Sequence, residues 1–584
     1  MAFPPALRSR VQTREASMTS AIERVPPHLR RYVVEQDYGQ YTGVDQAVWR
    51  FVLLQMYDKL QVTAHAAYRK GLGDTGISVE RIPSLAEMDA CLSRFGWGAV
   101  AVNGFIPPRA FTEFQAVGLL PICAEIRTAE HLVYTPAPDI IHEAAGHAPL
   151  IVDPQFSSYL KRIGEVGARA FRSPEDDAVY DAIFQLSEIK ERPGAAPDAI
   201  QGAEHRFAQA KQRVRRASEA ARVSRLYWWT AEYGLVGKVD DYKLYGAGLL
   251  SSLGESHSCH HPSVQKLPLS VACADLDYDI THAQPQLFVA ADFDQLGDVL
   301  DELAGTLSFR TGGARALSEA AQSEELCTLS LDTGLELIGH VSSGSAVGGT
   351  NVLFARLCGR YAFARQGRLL PELSPGDSKE CWALIGSRGD GTSLALLNEW
   401  RPGDATFEWV LGEGAVFSGR HARRHDASAQ PVFEGRELCL RTPAGVVQVP
   451  NATFVFGGAL LGAGAGAADP NYYARTEPSA ERVPQPRVYP AHEARMIELY
   501  ARALSAHRSA SSTEMLELFH DIHGVLDQQY PQDWLLRWNL LESLVKRGLR
   551  GDLADALRSE LTRLEREFHG EQPIASGLRY LGFD

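Results

Sequence analysis

Two histidines, His142 and His147, form the most distinctive chemical pattern in this chain of 584 residues, within the segment HEAAGH. Zinc proteases place two histidines four residues apart on one face of a helix, next to a glutamate that acts as general base. Here the spacing is five, so on a regular α-helix the two imidazoles would point about 140° apart. Gly146 and Pro149 predict that the helix is irregular or ends here, which would let both rings converge on one metal. A zinc hydrolase that uses Glu143 as its base is therefore a remote alternative.

A carboxylate, Glu232, offers a third metal ligand. It lies in the segment YWWTAEYGL (227–235), among aromatic residues, where a buried carboxylate is costly unless it is paired or bound to a metal. Two imidazoles and one carboxylate leave coordination positions open, which is the ligand set of iron(II) enzymes that use dioxygen. Asp139 precedes His142 by one helical turn, and we expect it to accept a hydrogen bond that fixes a ligand or an arginine. Together, His142, His147 and Glu232 predict an oxygen-activating iron site.

The elements that must position these ligands are mainly helical. A chain of this length is expected to fold as several domains. The first 27 residues are polar and contain four prolines, and they predict a mobile arm. Residues 28–312 carry helical apolar periodicity, for example after the acidic cap Asp45, and the stretch from Ala199 to about Leu235 predicts one or two helices. These helices have to bring His142 and Glu232, ninety residues apart, to one site.

The second half of the chain differs in composition, and we recognise no family for it. Residues 320–470 are rich in Gly, Thr and Val with short alternating apolar runs, and they predict a compact all-β module. Within it, the glycine-rich segment 457–466 is expected to be a flexible linker or the end of a strand. Residues 471–490 are predicted to be a linker. Residues 491–584 regain helical periodicity, and their apolar stripes predict a helical core or a surface for homo-oligomerisation.

Composition bounds the class of protein. The net charge of -14, from 58 basic and 72 acidic residues, argues against nucleic-acid binding. The sequence has no run of about 18 apolar residues and no apolar signal segment, so we expect neither a membrane span nor secretion. The eight cysteines are scattered without CxxC pairs, as in reduced intracellular proteins. We therefore expect a cytoplasmic protein.

Several further motifs, in order along residues 28–310, resemble the tetrahydropterin-dependent aromatic amino acid hydroxylases. They are GFIPPRAF (104–111), AEIRTAEHLVYTP (124–136), YTPAPDIIHEAAGHAPL (134–150), YWWTAEYGL (227–235), YGAGLLSSLGE (245–255) and AQPQLFVAADF (283–293). The resemblance covers about half of the chain. It implies the mainly α catalytic fold of that family for residues 28–312, followed by the all-β module and the C-terminal α-helical module.

The resemblance also implies roles for individual residues. His142, His147 and Glu232 match the iron ligands, and Arg127 matches the arginine that holds the substrate carboxylate. Glu143 matches a glutamate that faces the pterin, and it is the candidate for a catalytic role. The other matches line the amino acid pocket (Tyr134, Thr135, Pro138, Trp228, Tyr233, Gly248 and Ser251) or the pterin site (Ile106, Phe111 and Tyr227).

The implied reaction inserts one atom of dioxygen into the ring of a free aromatic amino acid, with iron(II) and a tetrahydropterin (tetrahydrobiopterin or a bacterial analogue) as cofactors. Tryptophan hydroxylases of this family carry phenylalanine at the position of Trp228, so tryptophan here favours a smaller substrate. Tyrosine hydroxylases carry aspartate near the position of Ile280, so an apolar residue favours phenylalanine. We therefore expect conversion of L-phenylalanine to L-tyrosine, a step of phenylalanine catabolism and tyrosine biosynthesis. The alternatives are meta-hydroxylation, hydroxylation of tyrosine or tryptophan, and a catalytically inactive binding protein.

Overall fold

The computed structural model describes residues 20–104, 106–133, 138–190, 196–280, 282–348, 350–373, 379–399, 406–425, 431–475, 491–509, 511–567 and 573–583. Helices dominate up to residue 323, a large sheet follows, and helices return from residue 491. This succession confirms the predicted order of a mainly α region, a β-rich region and an α-helical region. Within the described ranges, no helix is long and apolar enough to cross a membrane.

The first region, which contains the predicted metal ligands, is mainly helical. Its helices are α1 (Ala21–Arg24), α2 (Gly43–Thr63), α3 (Ala66–Asp74), α4 (Leu85–Leu92), α5 (Pro108–Ala116), α6 (Pro154–Arg169), α7 (Pro174–Lys190), α8 (Pro197–Arg213), α9 (Glu219–Tyr227), α10 (Ala247–Ser251), α11 (Glu255–Ser258), α12 (Phe293–Ala304), α13 (Ser308–Thr311) and α14 (Gly313–Ser323). The stretch predicted as one or two helices is α8 followed by α9, and α9 continues into a π-helix, Trp228–Glu232.

Local sequence signals explain where several of these helices begin. Thr42 and Asp45 form a capping box, in which each side chain accepts a hydrogen bond from the other residue's backbone N–H. The predicted acidic cap of α2 is therefore one half of this box. The packed chain begins before the predicted boundary at residue 28, because Ala21 and Val25 are buried in a small apolar cluster with Val100. Residues 1–19 of the predicted mobile arm lie outside the described residues.

Two small sheets lie in the first region. Strands β1 (Gly98–Val102) and β2 (Leu119–Cys123) are parallel and are joined by α5 in a β-α-β unit. The other sheet has the order β4-β3-β6-β5, from strands β3 (Leu235–Lys238), β4 (Asp241–Leu244), β5 (Gln265–Pro268) and β6 (Gln286–Ala290). Strand β3 begins just after the π-helix that carries Glu232, so this sheet anchors that ligand.

The β-rich region is one ten-stranded sheet in the described part of the chain. Its strands are β7 (Leu326–Leu331), β8 (Glu336–Ala346), β9 (Leu353–Arg365), β10 (Arg368–Leu369), β11 (Glu380–Ile385), β12 (Thr406–Gly412), β13 (Ala415–His425), β14 (Val432–Thr442), β15 (Gly445–Gly457) and β16 (Leu460–Ala465). Their order is β12-β13-β14-β15-β11-β9-β8-β7-β16, and β10 pairs with β9. Only the β11–β15 pair of these is parallel. Helices α13 and α14 pack over β16 and β8.

The glycine-rich segment 457–466 is largely a strand rather than a linker. Strand β16 pairs with β7, and α13 lies directly against it. A Cβ atom added to Gly462 would lie 2.4 Å from the carbonyl oxygen of Phe309, so glycine is needed for this close approach. The predicted strand end is therefore present only at Gly457, where β15 ends, and most of the segment is the separate strand β16.

The C-terminal helices are α15 (Ala491–Ser509), α16 (Ser512–Gln529), α17 (Trp534–Lys546), α18 (Asp552–Glu567) and α19 (Ile574–Tyr580). Their apolar stripes are buried, and they share one hydrophobic core with α2. The ring of Trp538 packs edge-on against Phe51 at 4.6 Å, and Arg50 donates to Glu542 at 2.7 Å. The predicted domain boundaries and the predicted homo-oligomer stay predictions. The predicted linker 471–490 begins with a 3-10 helix, Pro470–Arg475, and its residues 476–490 lie outside the described ranges.

Candidate active site

His142 and His147 lie on a π-helix, Ile141–His147. In a π-helix each N–H bonds to the carbonyl five residues earlier, and its wider turn brings residues i and i+5 much closer in direction than an α-helix does. A spacing of five therefore places both imidazoles on one side of the helix, with ring centroids 5.0 Å apart. The predicted irregularity is confirmed, and the spacing that is unsuitable on an α-helix is the right one here.

Glu232 ends the second π-helix and lies against both histidines. Its Oε2 atom is 3.1 Å from Nε2 of His142, and its Oε1 atom is 3.0 Å from Nε2 of His147. One ligand atom from each of the three residues lies within 4.8 Å of the others. The two π-helices thus bring together the three residues that the sequence predicts as metal ligands.

The separations between these nitrogen and oxygen atoms are compatible with one shared metal ion. Nε2 of His147 is buried and makes no hydrogen bond with any described residue, although Glu232 lies 3.0 Å away. Two bonds of about 2.1 Å from one ion, at right angles, place their donor atoms about 3.0 Å apart. The observed separations fit that geometry, so the three side chains suit a divalent metal ion with further coordination positions open.

The pKa values of the two glutamates at this site, Glu143 and Glu232, are shifted in opposite directions. Burial raises the pKa of Glu143 to about 8; His147 opposes this, and Glu232 adds to it. Burial acts in the same direction on Glu232, but His147 and His142 reverse it and hold the pKa of Glu232 below its ordinary value. Glu232 therefore favours the charged carboxylate, whereas Glu143 favours the neutral acid. Oε2 of Glu143 is buried without a hydrogen-bond partner among the described residues.

Asp139 contacts both an arginine and a predicted metal ligand, which are the two predicted alternatives. Its carboxylate accepts hydrogen bonds from Nε and Nη2 of Arg127, both at 2.8 Å, and from the backbone N–H of His142 at 3.0 Å. Nη1 of Arg127 donates to the carbonyl oxygen of Ser251 at 3.2 Å. Both Arg127 and Asp139 are almost fully buried. The pair therefore links the position of the guanidinium to the start of the helix that carries the histidines.

These groups surround one cavity of about 530 Å³, a size typical of a site for small molecules. Every predicted site residue that the structure describes lines this cavity, except His147 and Asp139, which are buried beside it. Tyr134 and Thr135 lie outside the described residues. Ile280, on which the choice of substrate rests, also lines the cavity.

One wall of the cavity is aromatic. The indole of Trp228 stacks on Tyr278, with centroids 4.3 Å apart and planes at 11°, and it lies 4.6 Å from the ring of Tyr233. Nε1 of Trp228 donates to Oε1 of Gln284 at 3.2 Å. The sequence interpretation missed Tyr278 and Gln284. The signals that point to them are an aromatic residue two positions before Ile280 and a glutamine inside the motif AQPQLFVAADF.

Another wall comes from α5 and α9. Phe111 is half-buried on α5, and its ring lies edge-on to Tyr227 at 5.9 Å and 6.2 Å from the ring of His147. The hydroxyl of Tyr227 accepts a hydrogen bond from Nε2 of Gln115 at 2.7 Å. Gln115, also missed by the sequence interpretation, lies one helical turn after Phe111, a spacing that places both on one face of α5.

A further wall of the cavity is formed by residues that lie in none of the sequence motifs described above. Helix α7 contributes Val179, Tyr180, Ile183 and Ser187, and α8 contributes Phe207 and Lys211. The two helices pack against each other. Lys211 also pairs with Asp277 at 3.5 Å, next to the Tyr278 that stacks on Trp228. The α7–α8 pair therefore closes the cavity and touches the loop that carries its aromatic wall.

A second group of side chains that could bind a metal ion lies in the C-terminal helices, and an arginine forms ion pairs with its carboxylates. His523, Asp527 and Glu560 lie close enough together to hold a metal ion. Arg537, however, donates to Glu560 at 2.8 Å and to Asp527 at 3.0 Å. Because a cation already occupies the space between these carboxylates, we interpret this group as an ion-pair network of the C-terminal helices.

Comparisons with known proteins agree with the geometry of the site. The profile of the biopterin-dependent aromatic amino acid hydroxylases matches residues 33–176 and 202–311. A phenylalanine-4-hydroxylase of Ralstonia nicotianae is 28% identical over 286 residues, which are 47% of this chain and 77% of that protein. A phenylalanine-4-hydroxylase of Pseudomonas aeruginosa is 28% identical over 281 residues, 47% of this chain and 88% of that protein.

The crystal structure of phenylalanine hydroxylase from Chromobacterium violaceum with bound iron(III) and the oxidised cofactor 7,8-dihydrobiopterin aligns with a TM-score of 0.38 at 24% identity, over 47% of this chain and 85% of that chain.

The candidate ligand set and the cavity thus lie in a part of the chain, residues 33–176 and 202–311, that is similar to the biopterin-dependent aromatic amino acid hydroxylases. Within that family, the relatives that it resembles include the bacterial phenylalanine-4-hydroxylases.

Proposed function

We propose that residues 28–312 form an iron(II)- and tetrahydropterin-dependent monooxygenase that converts free L-phenylalanine to L-tyrosine with dioxygen. The observation that carries this proposal is the convergence of His142, His147 and Glu232 on one cavity that Arg127 also lines. When bound, iron and the pterin would supply the activation of dioxygen and two electrons. The protein residues would hold, orient and enclose the reactants.

Arg127 is proposed to bind the carboxylate of the amino acid. A guanidinium group has five N–H donors, and Asp139 and Ser251 take three side-chain donors of Arg127. Among the described residues, one N–H on each terminal nitrogen has no other acceptor, and two such donors can bind a carboxylate. Because Asp139 also accepts from the backbone of His142, the bound amino acid would be held at a fixed distance from the metal.

The aromatic wall is proposed to place the substrate ring. Trp228 is held on one face by Tyr278 and at its edge by Gln284, so its position is set before a ligand arrives. A Cβ atom added to Gly248 would lie 2.9 Å from the ring of Tyr233, so glycine keeps this side of the pocket open. The apolar Ile280 favours a ring without a hydroxyl group, since an unpaired buried hydroxyl is costly. Tyr134, Thr135 and Pro138 are proposed to complete this pocket.

The pterin is proposed to lie against α5. Phe111 offers a ring for stacking, and Tyr227 and Ile106 complete an apolar wall. Glu143 has a buried carboxyl oxygen without a partner among the described residues, and it is proposed to orient the pterin ring by hydrogen bonding. In this proposal Glu143 orients the pterin and does not act as a base in the transfer of oxygen.

Three further features remain proposals. We propose the division into residues 28–312, 320–470 and 491–584 for the catalytic, β-rich and helical parts. A cytoplasmic location is supported by the eight cysteines, which are all free. A homo-oligomer formed through the C-terminal parts is the proposed assembly, and its test is the molar mass in analytical ultracentrifugation.

The deciding experiment supplies the full chain with iron(II), tetrahydrobiopterin and oxygen, and then tests phenylalanine, tyrosine and tryptophan separately with identification of the products. We expect pterin-dependent formation of tyrosine from phenylalanine. Glu232→Ala should lose both bound iron and activity, whereas Glu130→Ala, an exposed glutamate, should keep both. No pterin-dependent product from any of the three amino acids would contradict the proposal, and hydrolytic activity with bound zinc would favour the alternative.

A further inference from the structure

Arg109 lies in the first turn of α5, two residues before Phe111, and its guanidinium is held from several sides. Nε donates to Oε1 of Glu113 at 3.0 Å, and Nη2 donates to the carbonyl oxygen of Ala168 at 3.0 Å. Nη1 donates to Oε1 of Glu325 at 2.5 Å. The first two partners belong to the first region of the chain, whereas Glu325 immediately precedes strand β7.

Glu325 binds a second arginine as well. Arg172 donates to it through Nε at 3.0 Å and through its backbone N–H at 2.9 Å. The side chain of Glu325 is only 9% exposed, so its charge is sheltered and its hydrogen bonds are strong. The preceding residue, Glu324, has a φ of 57° in the left-handed region; it ends α14 and turns the chain so that Glu325 reaches both arginines. Both Arg109 and Arg172 line the active-site cavity.

A second segment beyond β7 supports the same arginine. Gly466, at the end of β16, approaches Arg109 so closely that an added Cβ atom would lie 2.9 Å from Nη2. The hydroxyl of Tyr473 accepts a hydrogen bond from the N–H of Ala467 at 3.0 Å. The ring of Tyr473 stacks on His28 at 4.0 Å, and His28 contacts Glu113, the other carboxylate that binds Arg109. Tyr473, His28, Glu113 and Arg109 therefore contact one another in turn around the start of α5.

We propose that the β-rich region contributes to the pterin site. Its residue Glu325 is a positioning residue, which holds α5 and, through α5, the ring of Phe111 against the cavity. This inference rests on the proposed pterin site. The family match ends at residue 311, so Glu325, Gly466 and Tyr473 are contributions of the part of the chain without a recognised family. Without the carboxylate of Glu325, Arg109 and Arg172 lose their shared partner and repel each other across the cavity wall.

The test uses the full chain loaded with iron(II). Glu325→Gln keeps the size of the side chain but removes its charge, and its binding of 7,8-dihydrobiopterin is measured by isothermal titration calorimetry. We expect the Kd to rise about tenfold, the change that about 1.4 kcal/mol produces. Iron content and the KM for phenylalanine at saturating pterin should stay unchanged. A general loss of structure would change all three quantities together.

The matched control is Glu319→Gln. Glu319 lies on α14, six residues before Glu325, and binds Arg216 at 2.7 and 2.9 Å outside the cavity. Its loss should leave the Kd for dihydrobiopterin unchanged. If Glu325→Gln fails to fold, Glu325→Asp, which keeps the charge but shortens the reach, is measured in the same way with the same expected direction.

The outcomes separate this inference from the proposed function. A wild-type protein that binds no dihydrobiopterin contradicts the proposed function, and the inference falls with it. A wild-type protein that binds the pterin, together with a folded Glu325 variant of unchanged Kd, overturns the inference alone. A Kd that rises equally in the Glu325 and Glu319 variants also overturns it.

Discussion

Nδ1 of His142 lies 3.0 Å from Oγ of Ser251, whose own hydroxyl donates to the carbonyl oxygen of Ala247 at 2.7 Å. Because the single hydroxyl hydrogen of Ser251 is used in that way, Nδ1 of His142 must be the donor. A proton therefore lies on Nδ1, and Nε2 is the ring nitrogen that faces Glu232. Ser251, predicted to line the substrate pocket, thus also orients His142, one of the three candidate metal ligands.

The first prediction follows from this contact. Ser251→Ala should lower iron affinity by about tenfold or more, because partners behind metal-bound histidines typically contribute that much. The measurement is a competition between the protein and a chelator for iron(II). Ser270→Ala, at an exposed serine, is the control and should have no effect. Equal iron affinity of the Ser251 variant and the wild type would contradict the proposed role.

The second prediction concerns the buried pair Arg127–Asp139. Asp139→Asn should lower the free energy of unfolding by about 3 kcal/mol, since it leaves a buried guanidinium without its countercharge. The KM for phenylalanine should rise as well, because Arg127 loses its fixed orientation. Urea unfolding and steady-state kinetics measure the two effects. For comparison, Glu567→Gln removes an exposed pair with Arg563 and should change stability by less than about 1 kcal/mol.

The third prediction concerns pH. Burial, together with Arg50, lowers the pKa of His507 to about 4. The charged groups around His507 are Arg50, Glu80, Glu542, Lys546 and Arg547. The folded state holds His507 neutral, while the unfolded chain binds a proton below about pH 6.5. Stability should therefore fall as the pH drops from about 6.5 towards 4, by at most about 1.4 kcal/mol per pH unit from this group.

Urea unfolding of the wild type and of His507→Gln at pH 7.0, 5.5 and 4.5 measures this contribution. The variant should lose less stability over that range than the wild type does. His205→Gln, at an exposed histidine on α8, should behave like the wild type. The same pH slope in the wild type and the His507 variant would show that His507 takes no part.

The fourth prediction tests the wall formed by α7. Ile183→Trp adds bulk at a residue that lines the cavity, and it should raise the KM for phenylalanine or for the pterin by about tenfold or more. Iron content should not change, because the ligands lie on other elements. Gln185→Trp places the same ring at an exposed position of α7 and serves as the control. Unchanged KM values for both reactants in the Ile183 variant would show that this wall does not limit access.

The convergence of His142, His147 and Glu232 could be predicted from the sequence because each lies in a local motif. The π-helix at His142–His147 could be anticipated only as an irregularity, since its hydrogen bonds depend on packing against α10 and other distant elements. The part of the wall formed by Val179, Tyr180, Ile183 and Ser187 of α7 could not be predicted, because residues 177–201 lie outside the family match. Glu325 was missed for a similar reason. Its partners Arg109 and Arg172 are 216 and 153 residues away, and no local pattern records such a pairing.

The core shared by α2 and the last helices has a consequence for biosynthesis. Arg50 and Glu542 are 492 residues apart in the chain, and Phe51 meets Trp538 over a similar separation. During translation, the apolar side of α2 leaves the ribosome long before its partners exist. Contacts between such distant segments form slowly, and surfaces exposed in the meantime promote aggregation. The apolar side of α2 therefore has no α17 to pack against until the residues after 534 have been synthesised.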